Sequence, residues 1–308
     1  MSMQNITNIV WLKRDLRLTD HLPLYNAIQK QEDFLILYIY EPSLMQDVHF
    51  DERHGRFIEQ SLSDIQDELL TLDKKLTVAC GEATEIFQLL IDRYNIKNIF
   101  SHEEIGLKIS YSRDLKLNLL FKEYQISWHE YQSNAVIRGL TNRKNWEHDW
   151  NKVMRAPIKK INLIEARILH YNFSSKILPN FPAKNYYQKG GFRAAQNELK
   201  SFFIGRGVEY SKNISKPEKS RHTCSRLSPY ISYGNISIKE IYKELLRSWD
   251  RPGWRRSMVA LSSRLHWHCH FIQKFESEIT IENEPVNRGY KNFPYLIIDK
   301  AHNDFQLW

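Results

Sequence analysis

Cysteine is scarce in this chain. The three cysteines among 308 residues, Cys80, Cys224 and Cys269, stand far apart in apolar or helical contexts. That spacing excludes a disulfide framework and a Cys-x-x-Cys metal site. The familiar glycine signatures are missing as well. No Gly-x-Gly-x-x-Gly follows the first apolar run, and no glycine-rich loop ends in Lys-Ser or Lys-Thr, so nucleotide binding through the usual motifs is not supported. No apolar run is long enough to span a bilayer and no secretory leader pattern is present. The expectation is a soluble cytoplasmic protein without a membrane partner.

Acidic charge is in deficit, and unevenly so. Lys and Arg total 44 against 36 Asp and Glu; residues 1–130 hold 14 against 21, a net of −7, whereas residues 131–308 hold 30 against 15, a net of +15. A basic module of this kind suits a polyanion, because phosphate contacts supply most non-specific affinity for DNA. A basic solvated surface is the alternative.

Residues 1–130 alternate short apolar runs with helical stripes. Strands are expected at Ile9–Leu12, Phe34–Tyr40, Leu76–Cys80, Asn98–Ser101 and Ile126–Trp128. Ile58, Leu62, Ile65, Leu69 and Leu72 share one helical stripe, Phe87, Leu90, Ile91 and Tyr94 a second, and Leu117, Leu120, Phe121 and Tyr124 a third. This pattern predicts a doubly wound α/β domain with a parallel sheet. Arg14, Asp15, Arg17 and Asp20 follow the first strand at its carboxyl end, where such sheets place ligands, although a salt-bridged loop is the preferred reading of them. Residues 131–205 read as a linker, with Trp146, Trp150 and Met154 on one helical stripe that clamps it to a domain. An electron-transfer ladder is the alternative use of those tryptophans. From 206 onward the chain reads as helical, with faces at Ile238, Ile241, Leu245 and Trp249 and at Met258, Leu261, Leu265, His268, Ile272 and Phe275.

The stretch Cys224-Ser225-Arg226-Leu227-Ser228-Pro229-Tyr230, closed by Gly234, reads as a phosphate cradle. Ser228 is placed to cap a short helix with Pro229 at its first turn, and Arg226, Ser225 and Ser228 offer charge and donors to a diphosphate. Ser237 and Glu240 predict a capping box on the next helix. The plain alternative is two capped helices around a turn. Farther on, His266 and His270 have the i, i+4 spacing of a zinc pair, but Trp267 replaces the glutamate a His-Glu-x-x-His site would carry, and no third ligand is evident.

Taken in order, these residues resemble the DNA photolyase and cryptochrome family. Asn8 to Asp20, with its Arg14-Asp15-Leu16-Arg17 loop, is similar to the family's opening signature; Gly190-Gly191 to Pro217 resembles the segment leading into the flavin domain; and Ser263 to Phe271 resembles the helix carrying a lesion-pocket tryptophan. The resemblance implies FAD held at its phosphates by Tyr210, Ser225, Arg226, Leu227 and Ser228. It implies a substrate face of Trp267, Arg264 and His268 presented to an extruded base, where stacking contributes roughly 1–3 kcal/mol per base. It also implies a second, light-harvesting antenna chromophore in the α/β crevice, near the His102-Glu103-Glu104 loop. The partner implied is DNA containing pyrimidine photoproducts, and the complete protein is expected to be a monomer.

Two departures matter. Many repair enzymes of the family carry a lesion-binding glutamate three residues before the tryptophan, where this chain has Arg264, which cannot accept that hydrogen bond. Cys224 likewise stands where some relatives have threonine. Photolyases also continue past a tryptophan like Trp308 into helices that close over the flavin ring. The expected architecture is therefore an α/β domain over 1–130, a linker over 131–205 and an incomplete all-α FAD domain over 206–308. Three functions stay open: a blue-light repair enzyme of which this is a fragment, a cryptochrome-like photoreceptor, or an inactive product that retains little FAD.

Overall fold

The computed structural model describes residues 7–173, 178–182 and 187–294. Trp308 lies outside the described residues.

Strands β1 (Asn8–Leu12), β2 (Phe34–Tyr40), β3 (Thr77–Cys80), β4 (Asn98–His102) and β5 (Ser127–Tyr131) form a parallel sheet in the order β3-β2-β1-β4-β5. Every residue of the two central strands β1 and β2 is buried, which is why they read as unbroken apolar runs rather than alternating ones. Side chains nevertheless alternate between faces. Val10, Leu12, Ile36 and Tyr38 point into one core with Leu24 and Ala27 of α1 (Leu22–Gln29). The short α2 (Pro42–Met45) and the long α3 (Glu52–Leu70) follow β2, and α3 packs Ile58, Leu62, Ile65 and Leu69 on the same side. Ile9, Trp11, Leu35 and Leu37 point the other way, under Phe87 and Leu90 of α4 (Ala83–Arg93) and Leu117 and Phe121 of α5 (Lys108–Glu123). The three predicted stripes are thus the covering faces of the sheet, except that Tyr124 ends its stripe exposed.

The stretch read as a linker is divided between two cores. Its α6 (Trp146–Arg155) buries Trp146, Trp150 and Met154 in a third core, and the stripe is packing, with Trp150 set edge-on to Tyr242 at 5.2 Å. Then Leu163 and Ala166 return to the sheet, and β6 (Ile168–Leu169) pairs with β2 in parallel, a strand that two residues of pattern could not announce. The third core is completed by α7 (Phe192–Ile204), α8 (Tyr210–Asn213), α10 (Ser228–Ser232), α11 (Ile238–Arg247) and α12 (Arg255–Ser277), while α9 (Pro217–Thr223) lies outside it with no buried side chain. The predicted capping box opens α11: Ser237 Oγ accepts from Glu240 N at 3.1 Å, and Glu240 Oε2 accepts from Ser237 N at 3.1 Å.

The loop after β1 mates with the turn between α10 and α11. Leu16 N donates to Tyr233 O at 3.0 Å, Arg17 Nη1 to Gly234 O at 3.0 Å, and Asn235 Nδ2 to Leu16 O at 3.0 Å, while Lys239 pairs with Asp20 at 2.7 Å. Gly234 has φ +68°, and a Cβ there would come within 2.3 Å of Arg14 O. Only glycine permits that approach.

Candidate functional site

Two features flank this junction. The first opens at the carboxyl ends of β1, β2 and β4, where strand order reverses around β1 and a crevice is expected. Trp11, Ile39, Tyr40, Phe50, Ile58 and Tyr233 supply its apolar walls, and it holds about 860 Å³ of free space, counting the solvent at its mouth. One end is charged. Arg113 of α5 reaches Glu41 at 2.5 Å, Glu104 at 2.8 Å and Asp114 at 2.8 Å, and Lys13 pairs with Asp114 at 2.9 Å. The Arg113 guanidinium also lies 4.7 Å above the Trp11 ring. Burial pushes the Glu41 carboxyl up to about 7 against the pull of Arg113, and Glu41 Oε2 has no hydrogen-bond partner among the described residues.

Behind the cleft sits a buried triad. Asp15 Oδ2 accepts from His21 Nε2 at 2.8 Å and lies 2.6 Å from His102 Nδ1, while its Oδ1 accepts from Lys13 N at 2.7 Å. His21 Nδ1 accepts from Leu24 N at 3.1 Å, capping α1, so the proton of that ring is on Nε2. Burial would raise the Asp15 carboxyl, yet the two histidines hold it well below the usual range; burial pushes His102 down to about 4 against the pull of Asp15. The ligand-type atoms of the three residues lie within 4.8 Å of one another. Their hydrogen bonds to each other and to the backbone account for the arrangement. The loop reading is partly met: Asp15 and Asp20 are ion-paired, Arg17 donates to carbonyls, and Arg14 is exposed at the cleft.

The second feature is the Ser225–Ser228 stretch. Helix α10 begins one residue earlier than its sequence suggests: Leu227 is the cap residue, already in the helical region at φ −90° and ψ −9°, and no side chain caps the start. Ser228 is therefore not the cap, because a capping side chain needs extended backbone at its own residue. It is exposed, Ser225 and Arg226 are half-buried, and Leu227 is buried in the helical core. Arg226 adopts φ +57°, the left-handed region that a residue with a Cβ rarely occupies. Beside it, Arg206 Nη2 pairs with Glu198 at 2.8 Å and donates to Ser225 O at 3.4 Å, and Arg206 Nη1 donates to Cys224 O.

Tyr210 is buried, and burial pushes its phenol up to about 12, with Arg264 alongside pulling the other way. Arg264, Trp267 and His268 fall at i, i+3 and i+4 of α12 and share a face. Trp267 is 46% exposed and stacks obliquely on Phe271 at 5.3 Å. The fold thus brings Tyr210 beside Arg264 of α12. Among the described residues, His266 and His270 do not converge with a third ligand; their rings stand edge-on to Trp146 at 4.9 and 5.9 Å. Sequence reasoning missed Glu41, Arg113, Tyr233 and Glu198. Each belongs to an ordinary helix or strand end, and only the fold brings it to a site.

Comparison with known proteins gives a consistent result. A family model described as DNA photolyase matches residues 8–164. A cryptochrome DASH of Idiomarina loihiensis is 24% identical over 84% of this chain, and one of Synechocystis is 24% identical over 98%. The chain spans 61% and 66% of those relatives' own lengths. Among solved structures, an archaeal photolyase from Sulfolobus tokodaii described with two FAD molecules superposes with a TM-score of 0.74 at 21% identity, over 97% of this chain and 66% of that one. No helix among the described residues is long and apolar enough to cross a membrane.

Proposed function

The chain belongs to the DNA photolyase family, and on that premise we propose that it is a flavin-binding, blue-light-responsive protein that faces DNA through α12. FAD would lie with its phosphates at Ser225, Arg226 and Ser228 and beside Tyr210, and a second, light-harvesting chromophore would occupy the cleft over Trp11. The flavin supplies photoinduced electron transfer to a pyrimidine dimer when bound. The chain's own residues orient it, exclude water and present an aromatic face to an extruded base.

The observation that carries this reading is the placement of Arg264 beside the Tyr210 hydroxyl, which links the exposed Trp267 face to the cradle through one helix. The cleft supports the antenna role because Tyr233, in its wall, follows directly on helix α10 of the cradle. Arg264 also favours the second reading, a cryptochrome-like receptor without repair, since a guanidinium has only donors to offer a lesion.

Purified protein supplied with FAD should bind oligonucleotides containing a thymine dimer better than undamaged ones, and Trp267→Ala should abolish that preference. Loss of the dimer under blue light would establish the repair reading; preference without repair would establish the receptor. Equal binding of damaged and undamaged DNA by the unaltered protein refutes the base-facing role of Trp267.

A further inference from the structure

Glu198 occupies the place where an anion would meet the cradle's arginines. It projects from α7 with one carboxylate oxygen 2.8 Å from Arg206 Nη2 and the other 3.8 Å from Arg226 Nε. The two arginines are not equivalent. Arg206 is fully engaged: besides Glu198 it donates to Cys224 O, Ser225 O, Glu198 O and Ser201 Oγ, so it holds the loop. Arg226 makes no side-chain hydrogen bond among the described residues, and its only ion pair is the long one to Glu198. It is also held at φ +57°, with its own carbonyl tied down by Gln188 Nε2 at 2.9 Å. A residue in the left-handed region, fixed at its backbone, with no side-chain hydrogen bond among the described residues and one long ion pair, is arranged to receive something other than what it has.

We propose that Glu198 is a placeholder for the ligand's phosphate at Arg226, and that it lowers the affinity of the cradle for a nucleotide diphosphate by competing for that guanidinium. The proposal rests on the reading of Ser225–Ser228 as the flavin's phosphate site and adds to it a residue that opposes binding. Arg206 anchors the carboxylate through Oε2, so Glu198 cannot swing fully away. A bound phosphate must share Arg226 with it across a few ångströms of partly solvated space. Sharing one partly solvated guanidinium with a carboxylate weakens its pair with the phosphate by roughly three- to tenfold in affinity.

The test uses the full chain with FAD, ADP and riboflavin as probes. FAD binding is read by flavin fluorescence and ADP binding by calorimetry. Glu198→Gln keeps the acceptor for Arg206 and removes the charge. It should tighten FAD and ADP about three- to tenfold and leave riboflavin, which has no phosphate, unchanged. In an Arg226→Gln background the same substitution should have no effect on FAD. Unchanged or weakened FAD affinity in E198Q overturns the proposal, as does a gain that persists without Arg226 or that extends equally to riboflavin. If R226Q alone leaves FAD affinity where it was, the phosphate-site reading itself fails and the proposal falls with it. Circular dichroism of E198Q matching the parent protein confirms that the comparison is between folded chains.

Discussion

Replacing Gly234 by alanine should loosen the two halves of the molecule from each other. Two costs add at this residue. The backbone stands at φ +68°, where an L-residue costs about 1 kcal/mol. The added methyl would also lie 2.3 Å from Arg14 O and 2.5 Å from Asp15 Cα, atoms of another loop's backbone that cannot rotate aside. Relief requires the loop after β1 to retreat, and that retreat strains the buried hydrogen bonds Leu16 N to Tyr233 O, Arg17 Nη1 to Gly234 O and Asn235 Nδ2 to Leu16 O. At about 1 kcal/mol each, the full effect is about 4 kcal/mol. For a chain of this size that corresponds to a fall in Tm of roughly 6 °C.

Gly253→Ala provides the reference. Gly253 has φ +80° but nothing within 4 Å of the added carbon, so it carries the conformational cost alone, about 1 kcal/mol. Thermal unfolding of the two variants side by side separates close approach from backbone strain. Equal losses in G234A and G253A would refute the argument that the junction is held by that approach.

Glu41→Gln should change how stability depends on pH. The folded carboxyl is raised from its ordinary 4.5 to about 7, so the folded protein keeps a proton that the unfolded chain releases, and stability falls as pH climbs through that window. The loss reaches at most about 3 kcal/mol, and E41Q should lack it. His102, lowered to about 4, has the opposite slope, losing stability as pH falls from 6.5, so the informative quantity is the difference between parent and E41Q in urea unfolding at pH 5 and pH 7.5. Parallel behaviour of the two proteins rules out a buried neutral Glu41. DNA affinity should fall steeply with salt and should weaken on reversing the exposed Arg221, Arg255 and Arg256, but not on reversing Lys75, Lys116 and Lys122 in the acidic half. Filter binding at two salt concentrations decides this, and equal effects from the two sets would contradict it.

The sheet was legible because burial on both faces writes itself into strands as apolar runs. Phe34–Tyr40 appears in the structure with the bounds its sequence suggests, and the helix stripes are the ones that cover it. Strand ends were less so: β5 runs to Tyr131 through the polar His129 and Glu130, held by pairing with β4 rather than by apolarity. β6 is two residues long and exists only because β2 offers a free stretch of edge at Phe34 and Leu35. In the sites, the motif residues were legible while their partners were not. Ser225 and Arg226 could be singled out from their neighbours, but Glu198 is one polar residue on an amphipathic helix, and nothing local says that α7 turns it toward Arg226. Ser228 shows the converse limit. Its capping signature is satisfactory in sequence, and one residue of helical backbone at Leu227 is enough to cancel it.

The cleft over Trp11 is not the property of the α/β half alone. Lys13, Arg14, Glu41 and Arg113 come from the sheet and its helices, but one wall is Tyr233, the residue that ends α10, and its ring lies 5.3 Å from Phe57 and 6.1 Å from His54 of α3. The same residue accepts from Leu16 N through its carbonyl, so side chain and backbone bind the cleft and the loop after β1 in one step. From Tyr233 to Ser228 is five residues of helix, about 7.5 Å along the axis. A ligand pressed against Tyr233 therefore touches the far end of the element whose near end adjoins Arg226. Between those ends Tyr230 is buried in the helical core. The close approach at Gly234 then has a role beyond stability: with the pair of Lys239 and Asp20, it holds the loop after β1 against the turn that follows α10.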